Sequence, residues 1–291
     1  MRKIDLFTLI IIVTLSFSLS AQEKAAKPSN VKKLKDYSFI PQGKARFEKK
    51  EFEVNAFFIS KYEVSNEQYR EFLDSLKNNG ETNKLKYAQI DSTQWSKIFN
   101  SYNNQPLVDN YSWHPAYSNY PVVNISYEAA ILYCQWFTEK FNRNNKNNGI
   151  YYEFSLPTKQ QWIRAARGNN NTEYAWGSPR LLGEIYYCNF RNLNSENIHL
   201  NPKTGKYEIV ETNMCIGKGA DITAPVKSYL ANQFEIYNMC GNVAEMIIEK
   251  GTAIGGSWND TGYDVRVEST QDYKSALPFI GFRPIMTLIT K

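Results

Sequence analysis

The chain has 291 residues, a net charge of +5, 42% apolar residues and 14% aromatic residues, including 20 Tyr, 16 Phe and 6 Trp. That apolar content excludes global disorder and allows one large or two small domains, with an interior built heavily from rings. The charge is modest for the length and partly gathered near the start, so no nucleic-acid partner is expected.

Residues 1–21 read as a signal peptide. Arg2 and Lys3 precede an apolar run from Leu6 to Leu15. That run has the length of a signal-peptide core and is too short to span a bilayer. The small residues Ser16, Ser18, Ser20 and Ala21 follow, which places a cut after Ser20 or Ala21. An uncleaved anchor is the alternative, because Leu19 is not the small residue that a cut after Ala21 prefers. No Cys stands at the junction to accept a lipid, so the chain is not a lipoprotein by sequence. No later stretch is long and apolar enough to span a membrane, so the chain is expected to be exported and not membrane-spanning after cleavage. Export places Cys134, Cys188, Cys215 and Cys240 where disulfides persist. Three pairings of four are possible, and Cys188 with Cys215 is the first to test. Cys134 lies in an apolar, helix-like run and reads as a buried thiol.

Residues 22–36 form a basic linker with Lys24, Lys27, Lys32, Lys33 and Lys35 and no apolar partners. A folded domain is expected over 37–291. Tyr37-Ser38-Phe39-Ile40 predicts a strand that ends at Pro41-Gln42-Gly43. Phe52, Val54, Ala56 and Phe58 alternate across Glu51 to Ser60, predicting one half-buried strand. Ser65 with Gln68 predicts a capping box, and Tyr69, Phe72, Leu73 and Leu76 give the apolar face of the helix it opens. Asn78 to Pro121 reads as irregular, anchored by Trp95, Phe99 and Trp113. Ser126 predicts the cap of a second helix that buries Ala129, Ala130, Leu132, Tyr133, Trp136 and Phe137. A basic, Asn-rich loop leads to a strand over Tyr151 to Leu156. A third helix then starts near Pro157-Thr158 and stops at Gly168. Beyond it, strand-like pieces recur at Tyr207 to Glu211, Val226 to Tyr229 and Ile280 to Leu288. The expected class is α+β, with few helices and low regular secondary structure.

Short motifs recur in order along this frame. They are Phe58-Ile59-Ser60-Lys61-Tyr62-Glu63-Val64, Pro121-Val122-Val123, Leu156-Pro157-Thr158, Gln161-Trp162, Ala165-Ala166-Arg167-Gly168, Trp176-Gly177, Gly241-Asn242-Val243, Gly255-Gly256-Ser257-Trp258 and Gly281-Phe282-Arg283. Together they resemble the sulfatase-modifying-factor domain, the fold of formylglycine-generating enzymes, which is related to C-type lectins. Trp113-His114-Pro115 through Pro121-Val122-Val123, and Gly255-Gly256-Ser257-Trp258-Asn259-Asp260, are most similar to the GldK/GldJ-type proteins of Bacteroidetes gliding motility and type IX secretion. That resemblance implies protein partners in the cell envelope and a place in the periplasm or at the outer membrane.

The resemblance also implies what to look for as a site. Formylglycine-generating enzymes hold copper through two cysteines just after the Gly-Gly-Ser turn, because Cu(I) requires soft thiolates. The matching positions here read Asp260 and Val265, and no Cys follows Cys240. No copper and no catalytic residues are therefore expected. A related branch binds iron through histidines. Only His114 and His199 are present, so a three-histidine site cannot be built. His114 reads as packing beside Trp113, and His199 as a surface residue. No Gly-x-Ser-x-Gly elbow occurs, and Ser257 reads as a turn residue. Relatives hold calcium through positions that match Asn238, Gly241, Val243 and Glu245, all possible oxygen donors to a hard cation. A second calcium position matches Asn189 and Phe190. It places Lys218 near its acidic ligand, so it is expected to be lost unless Asp221 substitutes. The leading expectation is a non-catalytic interaction protein of an envelope assembly. The alternatives are a metal-dependent enzyme with an altered site around Asp260, Asp264 and Arg266, and a lectin-like module. In the lectin-like module Trp258, Tyr263 and Tyr273 would stack on a sugar, although Trp258 reads better as core.

Overall fold

Four short strands open the folded region: β1 (Tyr37–Ile40), β2 (Gly43–Phe47), β3 (Lys50–Val54) and β4 (Phe57–Ser60). The computed structural model describes residues 35–98, 105–144, 150–170, 172–179, 181, 186–191, 198–200, 203–209 and 220–290. The signal peptide, nearly all of the basic linker, Phe99, Cys215 and Lys218 lie outside them. The expected single strand over Glu51 to Ser60 is two strands, broken at Asn55 and Ala56. β2 and β3 form a hairpin, with Glu48 and Lys49 in left-handed backbone at its tip. In β4, Phe57, Phe58 and Ile59 are all buried, because this strand lies inside a sheet and is covered on both faces.

Helix α1 (Asn66–Asn78) begins as expected. Ser65 and Gln68 make the capping box, and Tyr69, Phe72, Leu73 and Leu76 are buried. The stretch read as irregular contains α2 (Thr82–Tyr87), a 3-10 turn (Ser92–Lys97) and α3 (Gln105–Asn110). Trp95 is fully buried there, whereas Trp113 is 46% exposed and anchors nothing. Helix α4 (Tyr127–Asn144) starts with the Ser126 hydroxyl accepting from the Ala129 amide at 3.1 Å. β5 (Ile150–Ser155) and α5 (Lys159–Arg167) follow. α5 carries a second capping box, Thr158 with Gln161, and ends at Gly168 with φ +62°. The remaining strands are short: β6 (Ile198–Leu200), β7 (Tyr207–Ile209), β8 (Ala244–Met246), β9 (Thr252–Ile254), β10 (Thr270–Asp272), β11 (Ile280–Gly281) and β12 (Ile285–Thr290). Val226 to Tyr229, expected as a strand, is a turn in which Tyr229 has φ +63°. Ile280 to Leu288 divides at Phe282-Arg283-Pro284, where Pro284 supplies no ladder donor.

Two four-stranded sheets result, ordered β1-β4-β12-β5 and β10-β9-β8-β11. The first takes β4 and β12 from opposite ends of the domain, with Ile59 facing Ile285 and Phe58 facing Met286. One apolar core joins this sheet to α5 and includes Ile59, Trp162, Ile163, Met239 and Ile254. Another packs α1 against α4 through Tyr69, Phe72, Tyr133 and Phe282. A smaller ring-rich core gathers Trp95, Tyr111, Val123, Val243 and Trp258. Among the described residues no helix is long and apolar enough to cross a membrane.

Candidate functional site

The segment from Tyr237 to Glu245 runs between the cores, and its backbone is unusual. Asn238, Gly241 and Asn242 all have positive φ, at 55°, 76° and 65°. Asn tolerates this region because its short polar side chain bonds locally, and Gly has no Cβ to clash. At Gly241 glycine is required, since a Cβ there would stand 2.2 Å from the carbonyl oxygen of Asn189.

Asn242 is the knot of this turn. Its amide donates to Asn189 O at 2.8 Å. Its side chain donates to Glu63 Oε1 at 2.8 Å and to Ala224 O at 3.2 Å, and accepts from the Ala224 amide at 2.7 Å. Asn238 Nδ2 donates to Glu63 Oε2 at 3.1 Å and to Val226 O at 3.2 Å. Three segments distant in sequence are thereby tied to one carboxylate.

Glu245 follows on β8, and Arg283 lies just past β11. The guanidinium grips both Glu245 oxygens, Nη2 reaching Oε1 at 2.6 Å and Nε reaching Oε2 at 2.8 Å. It also donates to Ser60 O at 3.1 Å and Tyr237 O at 2.7 Å, and stands 3.9 Å from Glu63. The indole of Trp162 donates to Glu245 Oε2 at 2.7 Å. All three charges are buried, so the pair holds only because nearly every proton and lone pair finds a partner. Two carboxylates share one guanidinium here. Burial pushes Glu63 up to about 7; Arg283 pulls against that shift, and Glu245 adds to it.

Of the four residues expected to hold calcium, Asn238 presents a buried side-chain oxygen, Oδ1, with no partner, which is what a hard cation or a water would take up. Glu245 is different. Its two oxygens already accept from Arg283 and Trp162, so it does not fit as an open cation ligand in this arrangement. Gly241 and Val243 lie on the same buried turn. At the second expected position Asn189 Oδ1 is likewise buried without a partner, while Asp221 is exposed.

The second half of the stretch turns on two glycines. Gly255 and Gly256 have φ +90° and +64°, and a Cβ on Gly256 would meet Asp264 O at 2.4 Å. Trp258 is core, as expected. Its indole donates to Pro278 O at 3.1 Å, and its ring stacks on Trp95 with centroids 6.2 Å apart. Ser257 is fully buried, and its hydroxyl donates to Asp260 Oδ2 at 2.6 Å and accepts from the Asn259 amide. Burial raises the Asp260 carboxyl, with Ser257 working against the shift. Thr261 holds Asp264 Oδ2 at 2.6 Å, and Val265 is fully buried. Tyr263 is 68% exposed, with the Arg266 guanidinium 3.5 Å from its ring centroid. Tyr273 is buried.

The histidines do not join this place. His114 is exposed and caps a 3-10 turn, its Nδ1 accepting from the Ala116 amide at 3.2 Å; His199 lies on β6. Among the described residues no group of three or more His, Cys, Asp or Glu converges to hold a metal. Sequence reasoning missed Glu63 and Arg283 as the charges around which the turn closes. The available signal was a lone charge inside an apolar motif, as in Gly281-Phe282-Arg283-Pro284-Ile285.

Comparison with known proteins agrees with this frame. The mouse formylglycine-generating enzyme is 24% identical over 66% of this chain and 48% of its own length. The enzyme from Streptomyces coelicolor is 31% identical over 44% of this chain and 31% of its own length. The chain thus spans about half or less of the curated relatives it matches. Among solved structures, PvdO from Pseudomonas aeruginosa superposes with a TM-score of 0.55 at 15% identity, covering 86% of this chain and 93% of that one. CarF gives 0.55 at 18% identity, covering 86% of this chain and 97% of that one. These likenesses show the fold alone, and the resemblance to gliding-motility proteins is not among them. The sulfatase-modifying factor enzyme 1-like domain matches residues 22–288, and the chain belongs to that family.

Proposed function

We propose that this protein is an exported, non-catalytic member of its family that serves as a structural or interaction component of a cell-envelope assembly. The observation that carries this reading is the loop after Gly255-Gly256-Ser257. Asp260, bonded to Ser257, and the apolar Val265 occupy the positions where the resemblance calls for copper-binding thiolates. A hard carboxylate and a valine offer Cu(I) no soft ligand pair. The named activity of the curated relatives does not carry over at these residues. Export rests on the basic start, the apolar run and the small residues before Gln22.

Two measurements test the reading. Purified protein incubated with Cu(I) and a cysteine-containing sulfatase peptide is expected to yield no aldehyde, and stoichiometric copper with turnover would overturn the proposal. In the native cell the mature chain is expected in the envelope fraction, crosslinked to envelope proteins, and a cytoplasmic, unprocessed chain would overturn export.

Structural calcium beside Asn238 belongs to the same reading. Its support is the buried, unpartnered Asn238 Oδ1. Chelation is expected to lower the melting temperature of the wild type and leave that of Asn238→Ala unmoved. Equal melting of the wild type with calcium and with chelator would remove the ion from the proposal.

A further inference from the structure

Two buried cysteines, Cys188 and Cys240, are free thiols in this structure and take no part in the site described above. Cys188 and Cys240 are both 2% exposed and lie in the same apolar core. Their chain segments lie against each other. Asn189, the residue after Cys188, accepts the Asn242 amide at 2.8 Å. The position of a Cβ on Gly241, the residue after Cys240, falls 2.2 Å from Asn189 O and 3.4 Å from Asn189 N. Each cysteine therefore immediately precedes a residue at the point where the backbones touch. Cys134 lies in the other core, between α1 and α4.

We propose that Cys188 and Cys240 form a disulfide that locks the Cys188-Asn189 segment to the Asn238–Asn242 turn. The reaction is thiol–disulfide exchange with a dithiol oxidase of the export compartment. One protein thiolate attacks the oxidase disulfide and releases one oxidase thiol. The second protein thiolate then attacks the mixed disulfide and releases the other. Two protein thiols lose two protons and two electrons, and the oxidase disulfide gains them. Burial sets the order of events. Cys188 and Cys240 are both 2% exposed, so an external oxidase cannot reach either sulfur in the folded chain. The exchange therefore precedes closure of the core, and the finished bond lies out of reach of external reductant. This pairing is an alternative to Cys188 with Cys215, the first pair to test from sequence, and Cys215 lies outside the described residues.

The test uses the full mature chain exported by an oxidising host. The protein is denatured, alkylated without reduction, digested and mapped. The expected result is a Cys188 peptide joined to a Cys240 peptide, with Cys134 alkylated. Free, alkylated Cys188 and Cys240, or either of them joined to any other cysteine, would overturn the proposal. A second readout separates the bond from a packing role. Reductant added in mild denaturant is expected to lower the melting temperature of the wild type and not that of Cys188→Ala/Cys240→Ala. An equal response of the two proteins would count against the bond.

Discussion

The two halves of the stretch from Tyr237 to Asp264 meet the same need, a tight turn, with opposite chemistry. In the first half the turn closes around charge: Glu63, Glu245 and Arg283 are buried and held by Asn238, Asn242 and Trp162. In the second half the turn closes around Trp258, with Asp260 held by the Ser257 hydroxyl and backbone and Asp264, at the rim, held by the Thr261 hydroxyl. The difference separates what the fold needs from what chemistry needs. The first half rests on buried charge, so removing one of its charged partners is expected to destabilise the turn. The second half keeps its backbone shape through Gly255 and Gly256, while its polar side chains are free to vary.

The largest test of that contrast is Arg283→Met. It leaves Glu245 without its main partner inside the protein, and a loss of about 3–5 kcal/mol is expected by urea unfolding. Gly241→Ala forces a Cβ onto the Asn189 carbonyl at a positive φ, and a loss on the order of 3 kcal/mol is expected. Glu63→Gln addresses the electrostatics rather than the packing. The folded-state Glu63 is raised from 4.5 to about 7, so its protonated form is favoured by folding. That contribution is fully present below pH 4.5 and is lost as pH rises through 7, so wild-type stability should fall across this window and the variant's should not. A flat wild-type profile would show that Glu63 stays ionised against Arg283. In the second half Asp260→Asn removes only one acceptor from Ser257, and about 1 kcal/mol is expected. At the far end, Tyr263→Ala removes an exposed ring stacked by Arg266, and melting should shift by less than about 1 kcal/mol in equivalent stability.

Much of this fold was legible wherever a local rule decided the outcome. The Ser65–Gln68 capping box, the apolar face of α1, the start of α5 near Pro157-Thr158 and its stop at Gly168 all follow from local spacing. The errors arose where tertiary context overrides the local pattern. Ala56 continues an alternation that the β3–β4 break ignores, because β4 is buried on both faces. Trp113 reads as an anchor by size, yet the buried ring of this region is Trp95, which stacks on Trp258 from far along the chain. The lattice joins Glu63 just past β4 to the Tyr237 turn and the β11–β12 connection, a convergence that no spacing rule encodes. The absence of soft ligands after Gly256 was legible, because it depends on residue identity alone.

The pairing of β4 with β12 sets the timing of folding. β4 lies near the start of the domain and β12 at its end, yet the two are hydrogen-bonded neighbours in the first sheet, and β12 also carries all six residues of β5. A nascent chain that has not yet released Arg283 and β12 has no strand to join β4 to β5, and no guanidinium to neutralise Glu245. Its early strands cannot complete this sheet one after another; they wait for β12 and then close together. A chain of this topology stays threadable until β12 is in place, and a nick that removes β12 should unravel the N-terminal strands along with the local ones.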